Sequence, residues 1–241
     1  MDTTSKNSWL AAMNLIYRNR SIAFLTAYFI AFASSYVTGS SIDEYLYIHG
    51  FSVNELRLFT LLFGLIGVMG FSLRVWAAGY LGYVTVHSRA IRTNELVTCG
   101  PYSHVRHPLY LGLILISLGF VPELLLPGLL LLMVINIILI TILINMEETS
   151  SLSKYGYVYV NYRSSVPMLL PSLRARVQYN GFHFSLWGGL VTELGNIFVL
   201  STLVAGVTLS GFYFSITTFT LLPLGFLFSK TLRGKLTSSP P

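Results

Sequence analysis

Long apolar runs constrain this chain more than any other feature. About six are present: near Ser21 to Thr38, Leu58 to Tyr80, Pro108 to Leu125, Gly128 to Asn145, Ser185 to Gly206 and Gly211 to Phe228. Crossing the roughly 30 Å hydrocarbon core of a bilayer takes about 20 apolar residues in a helix. Inside lipid the backbone must satisfy its own hydrogen bonds, so such runs predict helices. The expected fold is all-α, a polytopic transmembrane bundle of about six helices, forming a single membrane domain over 1–241. Composition agrees: 54% of residues are hydrophobic and 10% charged, with a mean hydropathy of +0.67, too apolar for a solvated surface. "VPELLLP" between the third and fourth runs reads as a tight hairpin, because proline both ends a helix and opens the next.

Charge predicts orientation, since Lys and Arg near helix ends stay on the cytoplasmic side. Of the 15 Lys and Arg, all but Arg57 fall in the amino-terminal segment, the connections around 81–107 and 146–184, or the carboxyl-terminal tail, with Arg74 counted beside the first connection. Both termini and both polar connections are therefore expected to be cytoplasmic. Arg57 lies opposite, beside Asp43, Glu44 and Glu55. The net charge of +6 follows from this bias, with attraction to anionic lipid headgroups, and does not call for a nucleic acid partner. A cleaved signal peptide is not expected, because the first apolar run begins after residue 20 without a small-residue cleavage pattern. Cys99 stands alone, so neither a disulfide framework nor a metal cluster is expected. Gly64, Gly67 and Gly70 in "GLIGVMG" suit close helix packing better than a phosphate loop, since no strand-turn-helix unit surrounds them.

The polar chemistry concentrates at "GPYSHVRHPLY", residues 100 to 110. Pro108 fits the first turn of a helix, where its missing N–H costs nothing. Arg106 and His107 then precede the positive end of that helix, and Glu147 and Glu148 are expected at the negative end of the next. Both placements oppose the helix dipole at roughly 0.3–1 kcal/mol per charge. A hairpin brings the two ends together, which leaves two readings. In one, Arg106 makes a structural salt bridge with Glu147 or Glu148. In the other, the helix start receives an anionic group and a glutamate receives a cationic one. A zwitterionic amino acid with a further positive charge, the pattern of S-adenosylmethionine, would satisfy both. Tyr155, Tyr159 and Tyr162 follow at i, i+4 and i+7, predicting one helix face. That face suits an interfacial aromatic belt, a wall for an adenine ring or a lipid headgroup.

"LVTCGPYSHVRHPLYLG" followed by "EETSSLSKYGYVYVNYRSSVP" closely resembles the isoprenylcysteine carboxyl methyltransferase and phospholipid methyltransferase superfamily. The matching positions are Gly100, Tyr102, Arg106, His107, Pro108, Tyr110, Gly112, Glu147, Glu148, Tyr155, Gly156, Tyr159, Tyr162, Val166 and Pro167, and "LRVWA" at 73 to 77 is similar to an upstream stretch of the family. The resemblance marks residues 70–171 as a methyltransferase core, with 185–228 as an additional carboxyl-terminal helix pair. It implies an integral membrane enzyme that binds S-adenosylmethionine on the cytoplasmic side, with a tunnel for a lipophilic acceptor: a prenylcysteine carboxylate, a phospholipid amine or a small lipophile. The cofactor contacts it implies are Asn94, Glu95, Leu96, Val97, Tyr102, Arg106, His107, Pro108, Leu109, Tyr110 and Glu147, with His87 aligned more loosely. Where the isoprenylcysteine enzymes carry a carboxylate-binding arginine, four residues before the first glutamate, this chain has Leu143. Met168 stands where many members have an arginine, and Ser151 replaces a leucine.

Methyl transfer from a sulfonium requires alignment and a dry site, and a base only if the acceptor arrives protonated. Glu148, His104 and Tyr159 are the candidate catalytic residues for that role. Glu193 and Asn196, one turn apart in an apolar run, suit either substrate contact or helix pairing. Two rival readings remain. Nicotinamide-dependent sterol reductases resemble H-P-N-Y-x-G-E, but Leu109 and Leu113 replace the Asn and Glu here. A cofactor-free scaffold would use the motif only as a hairpin clasp.

Overall fold

The computed structural model describes residues 13, 15–17, 19–38, 41–82, 96–177, 182–208, 224 and 227. Among these the chain is all-helical. The helices are α1 (Arg20–Thr38), α2 (Ile42–Ile48), α3 (Val53–Leu81), a 3-10 turn (Gly100–Ser103), α4 (Pro108–Gly119), α5 (Leu126–Tyr155), α6 (Tyr157–Ser165), α7 (Leu186–Thr192) and α8 (Leu194–Thr208).

Two helices, α3 and α5, are long and apolar enough to cross a membrane. Only 17% of the apolar window of α3 and 33% of that of α5 is buried within the chain, so most of their apolar surface needs a non-aqueous solvent. The run at 108–125 differs from expectation. Helix α4 stops at Gly119, giving a length of about 18 Å, too short to span alone. Its end tightens into successive turns, with Phe120 N–H donating to the Ser117 carbonyl and Glu123 N–H to that of Phe120. Helix α5 instead overruns its expected end at Asn145 and carries Glu147 and Glu148 within its body. The glutamates are therefore about two turns from the carboxyl end, beyond the reach of the terminal dipole. Lys154 occupies the last turn, the favourable sign. The run at 185–206 is divided at Glu193 into α7 and α8, and the expected helix at 211–228 lies almost wholly outside the described residues.

Helix α3 starts at a reciprocal cap, where the Ser52 hydroxyl accepts from Glu55 N–H and the Glu55 carboxylate accepts from Ser52 N–H. Helix α2 docks on the α4–α5 hairpin: Ile42 and Asp43 N–H donate to the carbonyls of Leu124 and Pro122. Small residues set the helix spacing. Gly70 of α3 faces Gly112 of α4 so closely that a Cβ on Gly70 would lie 2.6 Å from the Gly112 carbonyl oxygen and 2.8 Å from Ile116 N. Gly67 is likewise buried, while Gly64 faces open space. On another side of α3, Gly79 meets Phe184 and Ser185 at the start of α7, and Gly189 meets the Val75 carbonyl.

The main core joins α1, α4, α5 and α8 around Phe120, Leu132, Leu143 and Ile144. Phe120 takes edge contacts from Tyr28 and Phe32 of α1. A polar knot crosses it: the Tyr28 hydroxyl lies 2.7 Å from Ser117 Oγ, Asn136 Nδ2 donates to the same oxygen at 2.9 Å, and Ser117 donates to the Leu113 carbonyl. Such bonds between membrane helices contribute on average about 0.6 kcal/mol each.

Gly70→Ala should therefore overpack the α3–α4 contact, whose nearest atoms are two backbone atoms and the Leu115 Cβ, none of which can swing aside. The expected loss is roughly 1–3 kcal/mol, read as a lower melting temperature of the detergent-purified protein. An unchanged melting temperature would show that these helices separate freely.

Candidate functional site

The polar site forms where the stretch leading into α4 lies against the second half of α5. Gly100 opens it with φ +59°, and a Cβ there would run into the Tyr80 ring, so glycine is required on both counts. The following 3-10 turn carries Tyr102 inward. The backbone then runs beside the segment after α6: Arg106 N–H donates to the Pro167 carbonyl at 2.8 Å and His107 N–H to that of Met168 at 3.2 Å. The Ser172 and Arg176 amides return the pairing by donating to the carbonyls of His104 and Ser103. The two motifs, some sixty residues apart, are thus joined through their main chains.

Side chains complete the junction. Arg106 Nη1 lies 2.6 Å and His107 Nε2 3.2 Å from Glu148 Oε1, while Arg163 Nε approaches Oε2 at 3.4 Å. The Glu148 side chain is only 10% exposed. Glu147 faces differently. Its Oε1 accepts from the Tyr110 hydroxyl at 2.7 Å, its Oε2 lies 3.8 Å from His107 Nδ1, and its side chain is 29% exposed. The salt-bridge reading therefore holds for Arg106 and Glu148, while Glu147 keeps an oxygen for another partner.

An aromatic layer backs the cluster, but not as a single helix face. Gly156, at φ +54°, separates α5 from α6, so Tyr155 belongs to the former and Tyr159 and Tyr162 to the latter. Tertiary packing still gathers all three, with Leu96 and Val166. The Tyr162 hydroxyl donates to the Tyr102 carbonyl at 2.8 Å. Burial, reinforced by the nearby Glu148 charge, pushes the Tyr159 hydroxyl up to about 12. Burial raises Tyr162 and Tyr102 as well. The Tyr102 hydroxyl is fully enclosed and has no hydrogen-bond partner among the described residues, an unusual state for a buried polar atom.

The structure thus brings together Tyr102, Arg106, His107, Tyr110, Glu147, Glu148 and Tyr159. Val97 and Leu109 pack beside Tyr102, and Pro108 is buried at the first position of α4. His104 turns away, its Nδ1 2.8 Å from the Ser172 carbonyl oxygen. Asn94, Glu95 and His87 lie outside the described residues. Leu143 is fully buried among core side chains.

Three groups escape a linear reading. Arg163 reaches Glu148 and was discoverable as one turn beyond Tyr159. Tyr17 and Arg20 carried no motif signal, yet burial and then the Glu147 charge raise Tyr17, and Arg20 lies over the Tyr17 ring at 4.8 Å. Arg74, counted above with the orienting charges, sits inside α3 with its charge taken up by Glu193. It therefore reports a contact rather than topology.

Glu148→Gln should leave Arg106 without its counter-charge. Breaking a buried pair typically costs roughly 3–5 kcal/mol, and the exposed Arg163 side places this site at the low end. A double-mutant cycle with Arg106→Met should give a coupling of at least about 1 kcal/mol. Strict additivity in thermal unfolding would mean that the two side chains do not interact.

Neither a curated protein nor a solved structure matches the chain. The family comparison does match, and on the methyltransferase side rather than the reductase side. The matched region runs from within α3 through the hairpin and both glutamates, and ends before Tyr159. Residues 62–153 of the chain, which includes two helices long and apolar enough to cross a membrane, match the isoprenylcysteine carboxyl methyltransferase (ICMT) family.

Proposed function

We propose that this chain is a multi-pass membrane methyltransferase that moves a methyl group from S-adenosylmethionine to a lipophilic acceptor, with its site on the cytoplasmic, Lys- and Arg-rich face. The observation that carries this reading is the division of labour between the paired glutamates. Glu148 is engaged by Arg106, His107 and Arg163, whereas Glu147 is half satisfied and more exposed.

The residues present fit such a cofactor. Glu147 Oε2 suits the ammonium end, and the enclosed Tyr102 hydroxyl is a buried donor in want of an acceptor. The first turn of α4 has no side-chain cap from His107, which leaves amides suited to a carboxylate. Tyr159 and Tyr162 supply ring surface. The bound cofactor supplies an activated methyl group on a sulfonium. The protein must then align the acceptor in line with it and exclude water.

None of the candidate bases is plainly poised. Tyr159 stays protonated at neutral pH, raised first by burial and then by the Glu148 charge. Glu148 is committed to its cations. His104 holds the Ser172 carbonyl through Nδ1, so in the neutral ring Nε2 is the nitrogen able to take a proton. Leu143, packed in the core where the isoprenylcysteine enzymes have an arginine, offers no charge for an acceptor carboxylate. This favours a lipid or small lipophile over a prenylated protein carboxylate.

Calorimetric titration of the detergent-purified chain tests the reading. S-adenosylmethionine and S-adenosylhomocysteine should bind, and Glu147→Gln should weaken both by about tenfold, the worth of one charge-assisted hydrogen bond. Binding of NADPH in their place would transfer the site to a reductase. With an acceptor in hand, Tyr159→Phe should leave the pH–rate profile between pH 6 and 9 unshifted, because a hydroxyl raised to about 12 does not ionise there. A shifted limb in that range would make Tyr159 the titrating base.

A further inference from the structure

We propose that Glu193, outside the family-matched region, is a positioning residue for the cofactor segment and acts through Arg74. This rests on the methyltransferase reading above. Arg74 Nε and Nη2 donate to the two carboxylate oxygens of Glu193 at 2.7 and 3.1 Å. Its third nitrogen, Nη1, donates to the Leu109 carbonyl at 2.6 Å. One planar guanidinium therefore spans three elements: α3, the junction of α7 and α8, and the first turn of α4. A lysine ammonium, lacking the fixed fork, cannot hold both a bidentate carboxylate and a third acceptor in one plane.

The local structure is arranged around this contact. The long apolar run breaks into α7 and α8 at Glu193, whose φ of −94° and ψ of 12° depart from helical values. Glu193 is 1% exposed, deeper than either glutamate of the cluster. Asn196 Nδ2 also donates to Oε2, the oxygen that Arg74 Nε holds, while Arg74 Nη2 occupies Oε1. Gly112 leaves the room in which the Arg74 side chain lies, since a Cβ there would sit 2.5 Å from Arg74 Cγ.

Packing alone does not call for a charged pair here. The glycine contacts already let α3 approach α4 and α7, and a buried ion pair commonly adds less stability than apolar residues of similar volume. What the pair adds is direction. Leu109 lies between His107 and Tyr110, the residues that reach Glu148 and Glu147. Holding the Leu109 carbonyl fixes the rotation of the first turn of α4 and hence the aim of both side chains. The carboxyl-terminal helices are thus expected to complete the cofactor site without touching the cofactor.

The experiment compares melting temperature with S-adenosylhomocysteine affinity in full-length chains. Glu193→Gln and Arg74→Lys should each weaken binding by about tenfold, a typical scale for coupling through a packed network. The charge-free pair Arg74→Met with Glu193→Leu should melt close to wild type yet show the same loss of affinity. If that pair both melts and binds like wild type, the contact is structural and the proposal fails. If it does not fold, the two single variants decide: wild-type affinity, titrated well below their melting temperatures, overturns the proposal. Failure of the wild-type chain to bind S-adenosylhomocysteine would instead remove the methyltransferase reading, and this inference with it.

Discussion

Glu148 is the point on which the polar half of this molecule turns. A carboxylate withdrawn from water needs compensating charge, and here that charge comes from the start of α4 and from α6. Meeting the demand fixes three things together. The hairpin must return α5 to the level of Arg106, α6 must fold back so that the largely exposed Arg163 comes within reach of Glu148, and the chain after α6 must run beside Arg106 and His107, where its carbonyls receive their amides. Once Glu148 is satisfied, its neighbour Glu147 is left facing a different way, half-engaged by Tyr110. Adjacent glutamates on one helix thereby acquire unlike roles.

The apolar half follows another logic. Lipid offers no hydrophobic drive for one helix to leave it for another, so association depends on close approach and on polar contacts between helices. Both occur along α3. Gly70 and Gly79 admit α4 and α7 on different sides, and Arg74, between them in sequence, ties the two together. The Tyr28, Ser117 and Asn136 knot does similar work among α1, α4 and α5. Arg74, Glu193, Tyr28, Ser117 and Asn136 thus act as junctions between helices.

These two halves suit the chemistry proposed. A sulfonium methyl donor is polar and charged, whereas a lipophilic acceptor arrives from the bilayer, so the site must sit where a charged cluster meets apolar helix walls. The tyrosine layer provides that transition.

Much of this was legible along the chain. The apolar runs dictated helices, since lipid permits no unpaired backbone. Pro108, the G-x-Y-x-x-x-R-H-P-x-Y-x-G pattern and the double glutamate marked the site because their spacing is local. Helix ends were less legible: α5 runs through Glu147 and Glu148 because its polar last turns are held by partners on other elements, and α4 stops early in a turn signalled only weakly by Gly119. The tyrosines at i, i+4 and i+7 suggested one helix, but the backbone at Gly156 divides them and packing reunites them. Composition by itself determined helices from apolar runs of membrane-spanning length, and the methyltransferase-like segment was legible through its resemblance to a known family. Only the tertiary structure decided which charges meet, that Arg106 takes Glu148 and Arg74 takes Glu193, because an ion pair depends on distance in space and these partners are separated by up to 119 positions in the chain.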